Sequence, residues 1–271
     1  MTQQPKYRTI VLSDVHLGTK WSKADEATRF IEENSCETLI LCGDIIDGWS
    51  LNRNGAKWKK RHTRFIKALL DLQHRTEIFY VRGNHDDFLD KILPFTFQHI
   101  HFVQDMIYRS EDKRFLVLHG DLFDSITSRF SWLVKIGDWG YTLLLYLNKL
   151  YNQRRVKKGL PYFSLSKEIK KKVKASVSYI SDFENHLVKL ASKRRCDGVI
   201  CGHIHTPEIR MFGNVAYLNA GDWVESLSAL VEQHDSTWHI HYSQTEEAEW
   251  NWDKETEAKK AKSEQPELVP A

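Results

Sequence analysis

The chain has 271 residues, of which 41% are hydrophobic and 28% are charged, and its formal net charge is +3. This size and composition allow one large α/β domain with a substantial core, and we favour a single domain that carries an insertion. The small net charge favours no particular class of partner.

Three features indicate a cytoplasmic protein. The first residues, Met1–Lys6, lead straight into a predicted strand without an apolar segment, so we expect no signal peptide. The uncharged stretch Trp139–Asn148 is far shorter than the ~20 residues that a membrane span requires. The four cysteines form no Cys-x-x-Cys pair, and reduced cysteines are typical of a cytosolic enzyme.

Five short apolar runs predict strands that are buried on both faces. They are Thr9–Leu12, Leu39–Cys42, Ile78–Val81, Phe115–Leu118 and Gly198–Cys201. A polar motif follows each run, in the order Asp14-Val15-His16, Gly43-Asp44, Gly83-Asn84-His85-Asp86, His119-Gly120-Asp121 and Gly202-His203-Ile204-His205. Open α/β sheets gather their ligands at the carboxyl ends of their strands. A single motif of this kind is weak, but five in order predict one shared site.

Helices are predicted around residues 23–34 and 57–74, where apolar residues recur at helical spacing. Four later runs predict an antiparallel set with Gly213-Asn214 as a hairpin turn. They are Glu208–Phe212, Val215–Asn219, Ala229–Glu232 and Trp238–Tyr242. The expected fold is a sandwich of two sheets with helices outside. The successive gaps from Asp14 to Asp44, from Asp44 to Asn84 and from Asn84 to His119 each suit one βα unit. The longer gap from His119 to His203 leaves room for an inserted helical cap.

The motifs supply seven oxygen and nitrogen ligands and no thiolate, which suits two divalent ions of manganese, iron or zinc. Asp44 stands alone in its motif and is the natural bridging carboxylate. Two metals about 3.5–4 Å apart activate water and clamp an in-line displacement at phosphorus. The predicted activity is therefore phosphoester hydrolysis.

The motif set resembles the signature of the calcineurin-like metallophosphoesterases over residues 8–243, which implies a four-layer αββα sandwich. The resemblance places one metal on Asp14, His16, Asp44 and His205. It places the other on Asp44, Asn84, His119 and His203. It implies that the neighbouring His85 is catalytic, contacting the phosphoryl group and protonating the leaving oxygen, a role that an imidazole can fill. The usual closing Asn-Pro-Gly-Ser appears here as Asn219-Ala220-Gly221-Asp222.

The sequence predicts a cap insertion at about residues 125–192 within a domain spanning residues 1–245. An apolar, aromatic-rich helix opens the insertion, although a buried core helix would show the same pattern. Nine bases and a single acid follow between residues 151 and 174. A solvated charged face is the alternative interpretation of such a run. Residues 246–271, with eight acids and four lysines, are expected to form a disordered acidic tail.

Three segments carry a finer resemblance: Asp14-Val15-His16-Leu17-Gly18, the insertion with Leu160-Pro161, and Gly202-His203-Ile204-His205-Thr206-Pro207. In these segments the chain most resembles, within the family, the UDP-2,3-diacylglucosamine pyrophosphatases of lipid A biosynthesis. That resemblance implies attack of metal-bound hydroxide on the UDP α-phosphorus, releasing UMP and 2,3-diacylglucosamine 1-phosphate. The cap would hold the acyl chains, and its bases would hold the phosphates, the candidates being Arg154, Arg155, Lys172 and Lys174. An apolar face beside such bases also suits peripheral contact with an acidic inner-membrane surface.

Those enzymes usually carry arginine where this chain has His85, so a different phosphoester substrate stays open. A phosphodiesterase, nuclease or phosphomonoesterase of the same fold is the alternative, although nucleic acid is the less favoured partner because the aromatic residues cluster with leucines. A non-enzymatic scaffold ranks lowest, since all seven ligands are present. Acidic residues near the motifs are candidates for orienting a ligand imidazole. They are Asp86 and Asp121, while Asp47, Trp49 and Asp124 could line the site or shape its loops.

Overall fold

The computed structural model describes residues 4–53, 58–123 and 180–243 and the backbone of 248–250. Most of the predicted cap and tail therefore lies outside the described residues, as do Arg154, Arg155, Lys172, Lys174 and Asp124. The chain divides into two units, one formed by Met1–Asp121 with Leu187–Ala271 and the other by Leu122–His186. None of the helices among the described residues has the length and apolarity that crossing a membrane would need.

The described strands are, in chain order, β1 (Tyr7–Leu12), β2 (Cys36–Cys42), β3 (Glu77–Val81), β4 (Phe95–Phe97), β5 (Ile100–Val103), β6 (Met106–Ser110), β7 (Lys113–Val117), β8 (Gly198–Cys201), β9 (Glu208–Phe212), β10 (Val215–Asn219), β11 (Ser228–Glu232), β12 (Trp238–Tyr242) and β13 (Ala248–Trp250). The helices are α1 (Ala24–Glu33), α2 (Gly48–Leu51), α3 (Lys60–Leu72) and α4, which covers residues 180–193. Short 3₁₀ helices span Asn84–Leu89 and Asp121–Phe123. The predicted strands and the two predicted helices are all present, within a few residues of their expected bounds.

Two sheets build the molecule. The larger has the order β13-β12-β11-β1-β2-β3-β5-β4, and the smaller has the order β6-β7-β8-β10-β9. Neighbours β1, β2, β3 and β5 run parallel, as do β7, β8 and β10. All five motifs therefore follow strands that run parallel to a neighbour, which brings the motifs to the carboxyl ends of the sheets.

Two details of the predicted topology are wrong. The segment between Asn84 and His119 is not a single βα unit, because it forms the strands β4 to β7 and contributes to both sheets. The four later strands are not one antiparallel set. The hairpin β9–β10, with Gly213 at φ +61°, belongs to the smaller sheet, whereas β11–β12 belongs to the larger sheet.

The core lies on both faces of the larger sheet, because successive strand residues point to opposite faces. On the outer face, Ile10 and Leu39 share a buried cluster with Phe30 of α1 and Phe65 of α3. The inner face packs against the smaller sheet. The side chains between the two sheets form a second buried cluster, whose members include Val11, Ile40, Val81, Phe115 and Ile200. This arrangement confirms the predicted α/β sandwich. The four cysteines are buried and form no disulfide.

Candidate metal centre

The motif loops turn sharply directly after their strands. Five motif residues have left-handed backbone angles that residues other than glycine rarely adopt. Their φ values are +53° at Asp14, +49° at His16, +54° at Asp44, +70° at His203 and +54° at His205. Such strain persists where the surrounding structure enforces it, and it gathers at functional sites. The turned backbones aim these side chains at one another.

Two glycines let the motif loops approach closely. A Cβ atom on Gly83 would lie 2.2 Å from Asp44 Oδ1, and one on Gly202 would lie 1.9 Å from Ser13 Oγ. Neither position can therefore hold a side chain without moving the adjacent loop. The glycines of the third and fifth motifs thus allow contact with the second and first motifs.

The first candidate cluster consists of Asp14, His16 and His205. Asp14 is fully buried, and its Oδ2 accepts hydrogen bonds from Ser13 Oγ at 2.7 Å and from the His203 amide at 2.9 Å. Its Oδ1 lies 3.0 Å from His205 Nε2 and 3.6 Å from His16 Nε2. That Oδ1 is buried and has no hydrogen bond within the described part of the chain. It is a free lone-pair donor aimed at the two imidazoles.

The second candidate cluster consists of Asp44, His119 and His203. His119 Nδ1 donates a hydrogen bond to the Cys42 carbonyl at 2.9 Å, which leaves Nε2 facing the cluster as the candidate ligand nitrogen. That Nε2 lies 3.3 Å from Asp44 Oδ2 and 3.3 Å from His203 Nδ1. Asn84 lies in the chain between Gly83 and His85, which both contact Asp44, and its buried Oδ1 accepts no hydrogen bond from any described residue.

Asp44 lies between the two clusters. Its Oδ1 accepts a hydrogen bond from the His85 amide at 2.8 Å, which fixes the carboxylate. Its Oδ2 lies 3.3 Å from His119 Nε2 in one cluster and 3.8 Å from His16 Nε2 in the other. One oxygen atom therefore faces ligand nitrogens of both clusters, the geometry expected of a bridging carboxylate.

The electrostatics of the site favour a cation. Burial raises the pKa of Asp44, but the nearby imidazoles of His119 and His16 together outweigh burial and lower the pKa to about 2. Burial likewise raises the pKa of Asp14, yet His205 and His119 hold it well below its usual value. Burial lowers the pKa of His16, but the nearby carboxylates of Asp14 and Asp47 raise it to about 10. The buried carboxylates stay ionised and attract positive charge, which a proton or a metal ion can supply.

His85 lies at the edge of the centre and is held from two sides. Its Nδ1 is 3.1 Å from Asp47 Oδ1, and its Nε2 is 3.9 Å from Asp44 Oδ2. The Trp49 ring covers it at a centroid distance of 4.2 Å. Asp47 also approaches His16, with Oδ2 3.4 Å from His16 Nδ1. Asp47 and Trp49 therefore line the site, one by orienting two imidazoles and the other by shielding His85.

Three further acids near the motifs have different partners. Asp86 accepts hydrogen bonds from the Ile46 amide at 2.9 Å and from Tyr80 Oη at 2.7 Å, so it holds the Asp44 loop and contacts no imidazole in the described contacts. Burial and the charge of Asp44 raise the pKa of Asp86 to about 6. Asp121 pairs with Arg82. Asp222 is the acid that approaches a candidate ligand, with Oδ2 3.8 Å from His205 Nδ1.

The closing loop, Asn219–Asp222, also has a structural role. Asn219 Nδ2 donates a hydrogen bond to the Gly202 carbonyl at 2.9 Å, and Asn219 Oδ1 accepts one from the Gly221 amide at 2.9 Å. The loop therefore supports the backbone that carries His203 and His205. Alanine at position 220 and aspartate at position 222 do not prevent this contact.

Comparison with known proteins decides the family. The sequence profile of the calcineurin-like phosphoesterases matches residues 7–207. The chain belongs to this family. A UDP-2,3-diacylglucosamine hydrolase from Wigglesworthia glossinidia brevipalpis is 25% identical to this phosphoesterase over 230 residues, which cover 82% of this chain and 89% of the relative.

Two solved structures also align with this chain. A phosphoesterase from E. coli aligns with a TM-score of 0.47 at 16% identity, covering 90% of this chain and 99% of its own. A dimetal phosphatase from Danio rerio aligns with a TM-score of 0.48 at 12% identity, covering 92% of this chain and 100% of its own.

The donor set fits the two metal ions on which this family depends. Carboxylate and imidazole groups converge in these two clusters, and buried oxygens of Asp14 and Asn84 without a hydrogen bond from the described residues suit ligands of a cation. This chain is therefore a dimetal phosphoesterase and a metal-dependent hydrolase.

Arg82 connects two ligand loops of the phosphoesterase. Its guanidinium binds Asp90 at 2.6 and 3.1 Å, beyond the 3₁₀ helix that carries Asn84 and His85, and it also pairs with Asp121, two residues after His119. Bidentate arginine–carboxylate pairs combine strength with fixed geometry.

We expect Arg82→Gln to weaken Mn²⁺ binding about tenfold, because removing groups that position metal ligands typically costs 10–100-fold in affinity. Calorimetric titration of the metal-free protein measures this change. Arg194→Gln is the matched control, since Arg194 forms an ion pair with Asp105 at 2.6 Å on the surface. Unchanged affinity in Arg82→Gln would show that the loops hold their geometry without the arginine.

Proposed function

We propose that the candidate ligands hold two divalent ions, most simply manganese, with iron and zinc as alternatives. Asp14, His16, Asp44 and His205 would bind one ion. Asp44, Asn84, His119 and His203 would bind the other. The support comes from the two clusters, from the position of Asp44 Oδ2 between them and from the unpartnered oxygens of Asp14 and Asn84.

When bound, two such ions supply Lewis acidity and activate water at neutral pH. The protein's own contribution is to position the reacting groups and to move a proton. In this proposal His85 contacts the phosphoryl group and protonates the leaving oxygen from Nε2, which lies 3.9 Å from Asp44 Oδ2. Asp47, with Oδ1 at 3.1 Å from His85 Nδ1, would keep the ring oriented with Nε2 toward the centre.

The proposed substrate is UDP-2,3-diacylglucosamine, whose pyrophosphate would be cleaved to UMP and 2,3-diacylglucosamine 1-phosphate. One observation carries this proposal: the relative named for that hydrolysis matches 82% of this chain and 89% of its own length. Acyl chains would occupy a cap at about residues 125–192, and phosphates would contact Arg154, Arg155, Lys172 and Lys174.

A second candidate is a different phosphoester substrate at the same centre. His85 favours this alternative, because the UDP-diacylglucosamine enzymes usually carry arginine at that position, and an imidazole suits substrates whose leaving group needs a proton. The alternative substrates are phosphodiesters, including nucleic acids, and phosphomonoesters. A cytoplasmic location with peripheral contact at the acidic inner membrane is part of the main proposal.

The two candidate functions predict different effects of the acyl chains on kcat/KM. Each buried methylene contributes about 0.8 kcal/mol, so a diacylated UDP-glucosamine should have a kcat/KM several orders of magnitude above that of its deacylated form. The measurement compares these two sugars and a short single-stranded DNA under identical metal and salt conditions. Equal rates on the two sugars would remove the lipid substrate. A faster, salt-sensitive rate on DNA would establish a nuclease.

A further inference from the structure

Three exposed tryptophans lie close to the candidate metal centre. Trp21, Trp49 and Trp58 are 65%, 43% and 42% exposed, and we call the area that they define the tryptophan surface. Single exposed apolar residues are ordinary, but several large aromatic side chains together mark an interaction site. Tryptophan in particular combines an apolar ring with a polar edge, which suits boundaries between water and an apolar phase.

Trp49 and Trp58 are brought together by contacts around Gly18. A Cβ atom on Gly18 would lie 2.8 Å from Leu51 Cγ, so α2, which carries Trp49, packs directly on this residue. The Gly18 amide donates a hydrogen bond to His62 Nδ1 at 3.3 Å, and the Trp58 ring lies 5.2 Å from the His62 ring. Both tryptophans therefore flank the loop that follows the first motif.

Trp21 belongs to that same loop. Arg61 at the start of α3 donates hydrogen bonds to the carbonyls of Thr19 at 3.3 Å and Lys20 at 3.1 Å, which ties the loop to the helix beside Trp58. The loop begins two residues after the candidate ligand His16. The tryptophan surface thus starts at the edge of the metal centre.

The charge of this surface is positive. Between Gly48 and Lys67, the described residues carry six bases and no acid, the bases being Arg53, Lys59, Lys60, Arg61, Arg64 and Lys67. Lys20 adds another base, and its Nζ lies 4.4 Å from the Trp21 ring. Two acids touch this surface, because Asp87 accepts a hydrogen bond from Trp49 Nε1 at 2.9 Å and Asp25 of α1 pairs with Arg64 at 2.9 Å. The remaining bases complement an anionic surface.

We propose that the tryptophan surface docks the enzyme on an anionic lipid bilayer. Indole rings favour the headgroup region, and each lysine or arginine near an anionic bilayer strengthens binding about fivefold. The inference deepens the proposed function, on which its purpose rests, because docking here would bring the metal centre to a diacylated substrate in the membrane. Docking itself needs neither metal nor catalysis.

A single-stranded nucleic acid is the competing partner, since it also binds aromatic rings and bases. Its bases need open ring faces on which to stack. In this structure one face of Trp49 is covered by the His85 ring at 4.2 Å, and the Lys20 ammonium lies over Trp21. The indole N–H groups of Trp49 and Trp58 are already bonded to Asp87 and Thr63. These contacts favour the bilayer.

The test is co-sedimentation of the full chain with vesicles of phosphatidylglycerol and phosphatidylethanolamine, compared with vesicles of phosphatidylcholine. We expect binding to the anionic vesicles alone. The double variant Trp21→Ser with Trp58→Ser should weaken partitioning at least tenfold, a factor that burial of roughly 60 Å² of apolar ring surface provides. Lys20→Gln with Lys60→Gln should weaken it about 25-fold, at about fivefold for each lysine.

Two exposed residues elsewhere serve as matched controls. Phe97→Ser, on the edge strand β4, and Arg109→Gln, on β6, should leave vesicle binding unchanged. The tryptophan double variant and the lysine double variant should both keep wild-type activity on the water-soluble bis(p-nitrophenyl) phosphate, while losing activity on UDP-2,3-diacylglucosamine embedded in vesicles. These readouts separate docking from misfolding.

Several outcomes would overturn the inference. One is the absence of binding to anionic vesicles, and another is binding that survives both double variants, which would place the docking surface elsewhere in the chain. Tighter binding to oligothymidylate, lost in the same variants, would assign the surface to nucleic acid. The Asp44→Ala variant should still bind vesicles. If the wild-type enzyme bound them but did not hydrolyse UDP-2,3-diacylglucosamine in detergent micelles, the proposed function would fail and the docking surface would stand.

Discussion

Asp44→Ala should leave the purified protein without either metal ion and reduce phosphodiester hydrolysis to background. The reason is geometric, because Asp44 Oδ2 is the oxygen that lies within 4 Å of candidate ligand nitrogens on both sides, at 3.3 Å from His119 and 3.8 Å from His16. A bridging ligand contributes to both sites, so its removal weakens both. Elemental analysis of protein dialysed against trace Mn²⁺ measures the metal content directly.

Asp14→Ala is the matched comparison. Asp14 Oδ1 lies 3.6 Å from His16 Nε2 and 3.0 Å from His205 Nε2. Its replacement by alanine should therefore weaken chiefly one metal site and leave about one ion per chain. Asp235→Ala, at an exposed position, controls for the purification. Circular dichroism must show that all three variants are folded. If Asp44→Ala retained two ions, the bridging assignment would have to be abandoned.

Much of the fold follows from local sequence patterns. Each predicted strand lies within a few residues of its place in the structure because a short apolar run buried on both faces has a strong local signal. The motifs that follow these runs were predicted to meet for the same reason, since parallel strands present their carboxyl ends together. Six of the seven predicted ligands fall into two of the three candidate clusters of the described residues, and the third cluster joins His16 to Asp47 and His85. Asn84 is in none of them, although the amide of its neighbour His85 contacts Asp44.

The errors in topology concern short strands with weak patterns. β4 and β5 have three and four residues, and most of those residues are partly exposed, so the segment after Asn84 shows no clear alternation. The partition of the late strands between two sheets is also a long-range property. β10 pairs with β8, and β11 pairs with β1. The sequence of a hairpin turn gives no information about either of these long-range pairings.

The supporting residues of the site were harder to predict than the ligands. Asp47 reaches His85 from a point 38 residues earlier in the chain, and Arg82 joins Asp90 to Asp121 across two loops. Only the folded backbone brings these groups together, so a local motif cannot distinguish a carboxylate that orients an imidazole from one that holds a loop. Asp86 shows the difficulty, because it follows a candidate ligand yet binds backbone amides.

His85→Asn should retain both metal ions and lose about 10²–10⁴-fold in rate on alkyl phosphodiesters, the usual size of general acid assistance. His85 Nδ1 faces Asp47 at 3.1 Å, and the Trp49 ring packs against the imidazole at 4.2 Å. Nε2 is therefore the nitrogen left to face the centre, 3.9 Å from Asp44 Oδ2. An alkyl leaving group departs as a strong base and needs that proton, whereas nitrophenolate is stable without it.

The decisive measurement is consequently the ratio of kcat for alkyl and nitrophenyl esters in the wild type and in His85→Asn, at equal metal content. Asp47→Asn offers an intermediate case, because the substitution removes the carboxylate that orients the His85 ring. The Asp47 carboxylate also lies 3.4 Å from His16 Nδ1, so the metal content of this variant must be measured in parallel. If His85 is the acid, Asp47→Asn should shift the ester ratio in the same direction but by less. An equal loss on both esters in His85→Asn would mean that His85 binds the phosphoryl group without donating a proton.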